Sequence, residues 1–207
     1  MASRADIIEA AAALFREQGY HNTSMADIAG RVGVLKGSLY YHIHSKEEIL
    51  FEILDRFTDL LIEKTEARSA APAADERERL QGIVADFLEI IRDYTNEIAI
   101  FFNERQHLAG EHWQKINAKR ARFGALLLDA IRSGQSQGTL RNDLDPTIVM
   151  LAMFGMVNWA IYWLKPDGRL SVPEIAAILS AILFDGLRAP PAPVPLRRAA
   201  GRATRRA

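Results

Sequence analysis

Residues 19–49 read GYHNTSMADIAGRVGVLKGSLYYHIHSKEEI, and this stretch decides the fold of the N-terminal part of the chain. Small Ala29 stands where one short helix would cross another, and Gly33 supplies the positive φ that a tight turn between them requires. The apolar positions that would hold the two helices together are Ile28, Val32, Val34 and Leu39. The pattern predicts a helix-turn-helix over about residues 25–44.

The second helix of this motif would expose side chains that suit the major groove of DNA. The candidate contact residues are Lys36, Gly37, Ser38, Tyr40, Tyr41, His42 and, in the first turn of the next helix, Lys46. Lys36 can neutralise a phosphate. Gly37 adds no side chain to the first turn of the helix, so the backbone can approach the DNA. We expect Tyr40 to face the DNA, and the pattern allows one of the pair Tyr40 and Tyr41 to pack inward.

The runs GYHNTSMADIA (19–29) and GVLKGSLYYHIHSKEEI (33–49) resemble the signature of the TetR family of transcriptional repressors, and the resemblance extends over about residues 4–62. It implies a DNA-binding domain over residues 1–62. The implied phosphate contacts are Ser24, Lys36, Tyr40, Tyr41, His42 and Lys46, and the residues implied to lie over base edges are Gly37 and Ser38. One departure is Leu35, which stands where the family usually has a Ser or Thr cap.

Helical periodicity continues through the remaining chain, and no strand pattern interrupts it. The predicted helices cover residues 4–19, 25–33, 36–43, 46–68, 76–94, 97–108, 111–136, 146–164 and 171–187. The pairs that mark helix starts are Ser24 with Asp27, Ser45 with Glu48, and Ser171 with Glu174. The fold class is therefore all-α with about nine helices: a three-helix N-terminal domain, a linker over 69–75 and a second helical domain over 75–187.

The composition narrows the possible classes of protein. The chain has no cysteine, which excludes disulfides, thiolate metal sites and a cysteine nucleophile. Asp6 and Glu9 interrupt the place where a signal peptide needs an apolar run, so we expect a cytoplasmic protein. Six arginines and no acid follow Asp185, and residues 1–187 carry 20 basic against 26 acidic side chains. A DNA-binding chain of this kind must present its basic groups on one face, and the Pro- and Arg-rich tail 188–207 is predicted to be disordered.

Residues 146–164 are almost wholly apolar, with Asn158 as the exception. A helix of this composition must be buried all round, and the helix over 171–187 carries small residues that allow a neighbour to approach closely. We therefore expect a homodimer in which these two helices from each subunit form a four-helix bundle. The apolar run from Ile148 to Leu164 has 17 residues, fewer than the roughly 20 that span a bilayer, so no membrane partner is expected.

A small hydrophobic effector would bind between the helices of the second domain. The candidate effector-binding residues are Phe87, Ile91, Phe101, Phe102, Arg105, Phe123, Leu127, Met153, Met156, Asn158, Trp159 and Trp163. Most buried aromatic residues simply pack, so each of these positions also fits a plain core. Polar residues within apolar helices, such as Asn103, Glu104, Arg105 and Asn158, are better candidates because a ligand can be their hydrogen-bond partner.

The second domain also resembles TetR regulators of fatty-acid and sterol breakdown, which sense acyl-CoA thioesters. The similar segments are ERLQGIVADFLEII (78–91), NEIAIFFNERQHL (96–108) and LDPTIVMLAMFGMVNWAIYWLKPDG (144–168). The resemblance implies an acyl chain among the Phe and Met residues and a repressor that an acyl-CoA releases from a palindromic operator. The candidates for binding the CoA phosphates are Arg105, Lys119, Arg120, Arg122 and Lys165, each of which also fits a solvated surface charge.

Two other functions compete with this hypothesis. Glu104 and His107 form the E-x-x-H pair of half a di-iron site in a helical bundle, but no second such pair exists. His42 and His44 have a spacing that suits a metal in a strand but lie at the end of a helix, and no nucleophile elbow, P-loop or dinucleotide motif occurs. We therefore expect no enzyme, no metal and no cofactor. A ligand-independent DNA-binding protein is the second alternative, although it would not need five further helices after residue 75.

Overall fold

The structure is a computed structural model that describes residues 3–165 and 167–186. Over these residues the chain forms nine α-helices and no strand, as the periodicity predicts. The helices are α1 (Arg4–Gln18), α2 (Met25–Arg31), α3 (Lys36–His42), α4 (Lys46–Ala70), α5 (Glu76–Asp93), α6 (Thr95–Glu104), α7 (Gly110–Gln137), α8 (Pro146–Asn158) and α9 (Val172–Asp185). Two 3-10 turns, Arg105–His107 and Trp159–Tyr162, follow α6 and α8. The predicted tail 188–207 lies outside the described residues.

Side-chain caps define several helix starts. Ser24 and Asp27 form a full capping box at α2, and Ser171 and Glu174 form another at α9, as predicted. At α4 the box is incomplete: the Ser45 hydroxyl accepts the N–H of Glu48 at 3.0 Å, but the Glu48 carboxylate accepts the N–H of His44. The reason is that Glu48 also pairs with Arg4 of α1, which turns its carboxylate towards that helix.

Helices α1, α2 and α3 form the part of the molecule that we call the head, and the first turns of α4 close its core. The apolar face predicted for α1 is buried and consists of Ile7, Ile8, Ala11, Leu14 and Phe15. Arg4 fastens α1 to α4 by pairing with both Glu48 and Glu52 at 2.8 Å. The head therefore has its own apolar centre but is tied to the helix that leaves it.

Helix α4 runs from the head into the remaining helices, α5–α9, which we call the body. The predicted linker 69–75 begins inside this helix, because α4 continues to Ala70. Its last turn is held by Arg68, whose guanidinium donates to both carboxylate oxygens of Asp86 on α5 at 2.8 and 2.6 Å. This ion pair with α5 favours the helix beyond the point where the apolar stripe ends, so that only residues 71–75 lie outside a helix.

Helix α8 differs from the prediction in length and in burial. The predicted helix 146–164 ends at Asn158, where a 3-10 turn takes over, and the N–H groups of Trp163 and Leu164 both donate to the carbonyl of Ala160. The single chain buries one side of α8 and leaves Trp159 and Tyr162 exposed by 63% and 69%. Burial on all sides therefore requires a partner surface. Among the helices of the described residues, none is both long enough and apolar enough to cross a bilayer.

Candidate nucleic-acid interface and ligand cavity

The turn between α2 and α3 has the geometry that its sequence predicts. Gly33 has φ of 71°, and the N–H of Val34 donates to the carbonyl of Ala29 at 3.0 Å. Ala29 of α2 is buried, so a branched side chain there would have to displace its neighbours. Leu39 is fully buried and anchors α3 to the head.

The outer face of α3 is open to solvent. Lys36, Gly37 and Ser38 are exposed at its first turn. A methyl group added at Gly37 would meet no atom of the described residues within 4 Å, so nothing in the chain itself requires a glycine there. A close approach by something outside the chain would explain it.

The two tyrosines of α3 both point outward, so neither takes the inward position that the pattern allows. Tyr40 is 42% exposed and Tyr41 is 86% exposed, because the buried Leu39 and Ile43 already fill the inner side of the helix. Leu35 precedes the helix without a side-chain cap hydrogen bond, as its departure from the family pattern predicts.

Two other predicted DNA contacts, Ser24 and His42, are partly engaged within the head. The Ser24 hydroxyl donates to the carboxylate of Asp27 at 2.7 Å while it also caps α2. His42 is half-buried, with its ring edge-on to that of Tyr41, and its backbone carbonyl accepts a hydrogen bond from Arg4.

The Lys46 side chain is hydrogen-bonded within the head, which differs from its implied role as a phosphate contact. Its Nζ donates to the carbonyls of Tyr20 at 2.6 Å and Thr23 at 2.8 Å, and it lies 4.2 Å from the centre of the Tyr20 ring. An ammonium has three protons, and these contacts occupy them. Burial lowers the pKa of the Lys46 ammonium. The side chain therefore fastens the loop between α1 and α2 to the start of α4.

A cavity of about 320 Å³ lies in the body between α4, α5, α6, α7 and α8. Seven of the predicted effector residues line it: Phe87, Ile91, Phe101, Phe102, Arg105, Phe123 and Asn158. The predicted residues that do not line it are Leu127, Met153, Met156, Trp159 and Trp163. Leu127 and Met153 are buried in the core behind it, whereas Trp159 is carried to the surface where α8 gives way to the 3-10 turn.

Two arginines border this apolar space. The guanidinium carbons of Arg105 and Arg120 lie 5.6 and 5.7 Å from the centre of the Phe101 ring. Burial lowers the pKa of the Arg120 guanidinium, and the positive charge of Arg105 lowers that pKa further. Three further candidates for the CoA phosphates, Lys119, Arg122 and Lys165, do not line the cavity.

The head and the body meet next to this cavity. Glu104, at the end of α6, accepts the backbone N–H of Tyr20 at 3.3 Å, and its other oxygen lies 3.3 Å from Nε2 of His107. The His107 ring stacks on the Tyr20 ring, with centres 5.1 Å apart and planes 8° apart. The pair Glu104 and His107, which suggested half a metal site, thus joins the two parts of the molecule. Arg105, which lies between them in sequence, faces the cavity.

Comparison with known proteins identifies the family. Residues 7–53 match the family model described as bacterial regulatory proteins, tetR family, and residues 73–187 match the tetracyclin repressor-like C-terminal domain. The chain belongs to the TetR family. A curated TetR-type relative, the transcriptional repressor KstR2 of Rhodococcus jostii strain RHA1, is 32% identical over 188 residues, which cover 90% of this chain and 92% of the relative.

Solved TetR-family structures have the same fold. The ketosteroid transcriptional regulator KstR2 of Mycobacterium tuberculosis superposes with a TM-score of 0.81 at 31% identity, covering 88% of this chain and 93% of that one. AibR, solved in complex with isovaleryl coenzyme A and operator DNA, superposes with a TM-score of 0.79 at 34% identity, covering 87% and 97%. Because members of the TetR family are DNA-binding regulators, this chain is a DNA-binding regulator and not an enzyme.

Sequence reasoning missed part of the cavity of this TetR-family chain. The additional lining residues are Phe57, Thr58, Leu61, Ile98, Gly124, Met150, Leu151 and Phe154. The sequence did contain a signal that α4 contributes to the second domain. The apolar stripe of α4 includes Phe57 and Leu61 and is longer than packing against the head alone requires. Arg105 after α6 and Arg120 on α7, both candidates for binding the CoA phosphates, border the same space.

Proposed function

We propose that this chain is a cytoplasmic repressor that binds a near-palindromic operator as a homodimer and leaves it when an acyl-CoA thioester enters the cavity of the body. The observation that carries the proposal is the position of the turn Arg105–His107. Arg105 borders the cavity, while Glu104 and His107 on either side of it contact the loop of the head after α1. A ligand that moves this turn would move the head.

The exposed side of α8 supports the homodimer. Ile148, Leu151, Trp159 and Tyr162 on α8 and its 3-10 turn, with Ile178 on α9, leave large apolar side chains open to solvent. Several large apolar side chains exposed on neighbouring elements are typical of a protein–protein interface. In a two-fold symmetric dimer the same patch meets itself, and the two α3 helices would then lie about one DNA turn, roughly 34–36 Å, apart.

The relatives support the class of effector. AibR was solved with isovaleryl coenzyme A, and the KstR2 structure is described as that of a ketosteroid regulator. The cavity of this chain is mostly aromatic and aliphatic, and its volume lies at the lower end of the roughly 300–1,000 Å³ that small-molecule sites occupy. An acyl group would fit this lining, with the CoA portion extending towards Arg105 and Arg120.

For DNA recognition we propose that the exposed face of α3 enters the major groove. Lys36 would neutralise a phosphate, and Gly37 and Ser38 would lie nearest the base edges. Tyr40 and Tyr41 would add contacts to the sugar-phosphate backbone. We assign Lys46 the role of holding the head loop, because its ammonium is already occupied by two carbonyls and an aromatic ring.

The test is a gel-shift titration of the purified chain on the intergenic DNA beside its gene, with and without a panel of acyl-CoA esters. We expect binding, and a loss of affinity of about 5–150-fold with the right ester, the range that a coupling free energy of roughly 1–3 kcal/mol produces. Binding that no acyl-CoA weakens would remove the acyl-CoA from the proposal. Failure to bind any neighbouring DNA would refute the repressor itself.

A further inference from the structure

A second cavity, of about 380 Å³, lies where α1 of the head meets α4 and the turn into α6, and we call it the junction groove. Its apolar lining includes Ile8 and Ala12 on α1 and Ile53, Phe57 and Leu60 on α4. Among the described residues, only Phe57 also lines the cavity of the body, so the two spaces are neighbours but distinct. The volume of the junction groove falls within the roughly 300–1,000 Å³ of small-molecule sites.

Two acidic residues line the junction groove from opposite parts of the molecule. Glu9 belongs to α1 of the head and Glu97 to the first turn of α6, and among the described residues neither carboxylate forms a salt bridge or a side-chain hydrogen bond. Tyr94 also lines the groove and is 37% exposed, so its ring is open to a ligand. A cation in the groove would gain from both the carboxylates and the aromatic ring.

The basic residue of the lining, Arg56, does not neutralise these acids. Its guanidinium pairs with Glu52, one turn earlier on α4. Glu52 also pairs with Arg4, and Arg4 pairs in turn with Glu48. The two guanidinium groups and two carboxylates of this network balance each other. The charge that remains at the junction groove is therefore the negative charge of its two free carboxylates.

We propose that the junction groove is a second ligand site, which binds an amphipathic organic cation. The positive charge of the ligand lies near Glu9, Glu97 and the Tyr94 ring, and its apolar part lies against Ile53 and Leu60. The cavity of the body does not suit the same ligand, because two arginines border it and like charges repel. Since the walls of the junction groove belong to α1 of the head and to α4 and the turn into α6, an occupant bridges the head and the body.

The test compares two fluorescent dyes that share one conjugated body. The dye 4-(4-dimethylaminostyryl)-N-methylpyridinium is a cation, and its parent 4-(4-dimethylaminostyryl)pyridine is uncharged in mildly alkaline buffer. Both brighten when a binding site restricts their rotation, so each can be titrated with the full chain. We expect the cationic dye to bind the wild-type chain about fivefold more tightly or better, because two partly exposed carboxylates and one aromatic ring each add a modest attraction.

Substitutions of the two acids locate the cationic dye. Glu9→Gln and Glu97→Gln should each reduce the preference for the cation, and the double variant should remove most of it while leaving the neutral dye unaffected. Glu111→Gln is the matched control, because Glu111 also lies in the first turn of a helix, α7, and is exposed but lines neither cavity. It should keep the wild-type preference.

Ala5→Phe tests the shape of the groove without changing a charge. Ala5 lines the groove and is exposed, so a phenyl group there occupies the space of the ligand without disturbing the core, and it should weaken binding of the cationic dye. Equal affinity of the wild-type chain for the two dyes, no binding of the cation, an unchanged preference in the double variant, or unchanged binding by Ala5→Phe would overturn the proposal. A loss in Glu111→Gln as large as that in the double variant would do so too, since it would show attraction to the surface as a whole. Dye binding is measured without operator DNA or acyl-CoA, so this result is independent of the proposed function.

Discussion

Replacing Lys46 by Met tests whether this side chain holds the head loop or contacts a phosphate of the DNA. Met keeps the apolar stem of the side chain and removes the ammonium. The structure gives the ammonium two short hydrogen bonds, to the carbonyls of Tyr20 and Thr23. A hydrogen bond to a charged group contributes about 1.5–3 kcal/mol, and the partial exposure of Lys46 argues for about 2 kcal/mol in total. For a chain of this size such a loss corresponds to a fall in melting temperature of about 4–8 °C.

The salt dependence of operator binding decides between the roles. A side chain that neutralises one phosphate contributes about 0.9 to the slope of log affinity against log salt concentration. If Lys46 holds the head loop, Lys46→Met should lower the melting temperature and weaken binding to all sequences alike, with an unchanged slope.

The comparison variant is Lys36→Met, since Lys36 is exposed at the start of α3 and lies 6.0 Å from the Tyr40 ring. Because a homodimer carries the substitution in both subunits, it should lower the slope by about 1.8, and it should leave the melting temperature nearly unchanged. A Lys46→Met variant with the wild-type melting temperature and a reduced slope would refute the positioning role and restore Lys46 as a phosphate contact.

Four further substitutions test the head, the coupling and the dimer. Gly37→Ala should stabilise the chain by roughly 0.5–1 kcal/mol in thermal unfolding, because alanine favours the helix and the space around Gly37 is open. The same substitution should weaken operator binding. Unchanged operator binding would mean that DNA does not approach this turn. Ser38→Ala should relax base preference in a selection from randomised operators without changing the slope of log affinity against log salt concentration. A changed slope with intact base preference would show that Ser38 contacts a phosphate instead. Glu104→Ala should bring the ratio of operator affinities without and with the effector close to one. Gln106→Ala, at an exposed position of the following turn, should not change that ratio. Trp159→Lys should shift the mass in sedimentation towards the monomer, and a dimer that persists would place the interface elsewhere.

The head is the part of the molecule that the residues determine most directly. Its apolar spacing, the capping pair Ser24 and Asp27 and the positive φ at Gly33 are local features, and each acts within one or two helical turns. The departure at Leu35 was also visible, because a side-chain cap depends on that one residue. Helix periodicity likewise predicted the helix count of the body.

The sequence by itself therefore determined that the chain is all-helical, that its N-terminal part is a helix-turn-helix, and that α8 has more apolar surface than one side of a helix can bury. Only the tertiary structure decided which residues of different helices and loops contact one another. The cavity is the space left between five helices, so a residue lines it according to how those helices cross, which places Phe57 and Arg120 inside and Trp159 outside. Lys46 follows the same rule, since the carbonyls of Tyr20 and Thr23 come within reach of its ammonium only when the loop after α1 folds over the start of α4. Periodicity records which face of a helix is apolar, but contacts between helices depend on geometry that no local pattern contains.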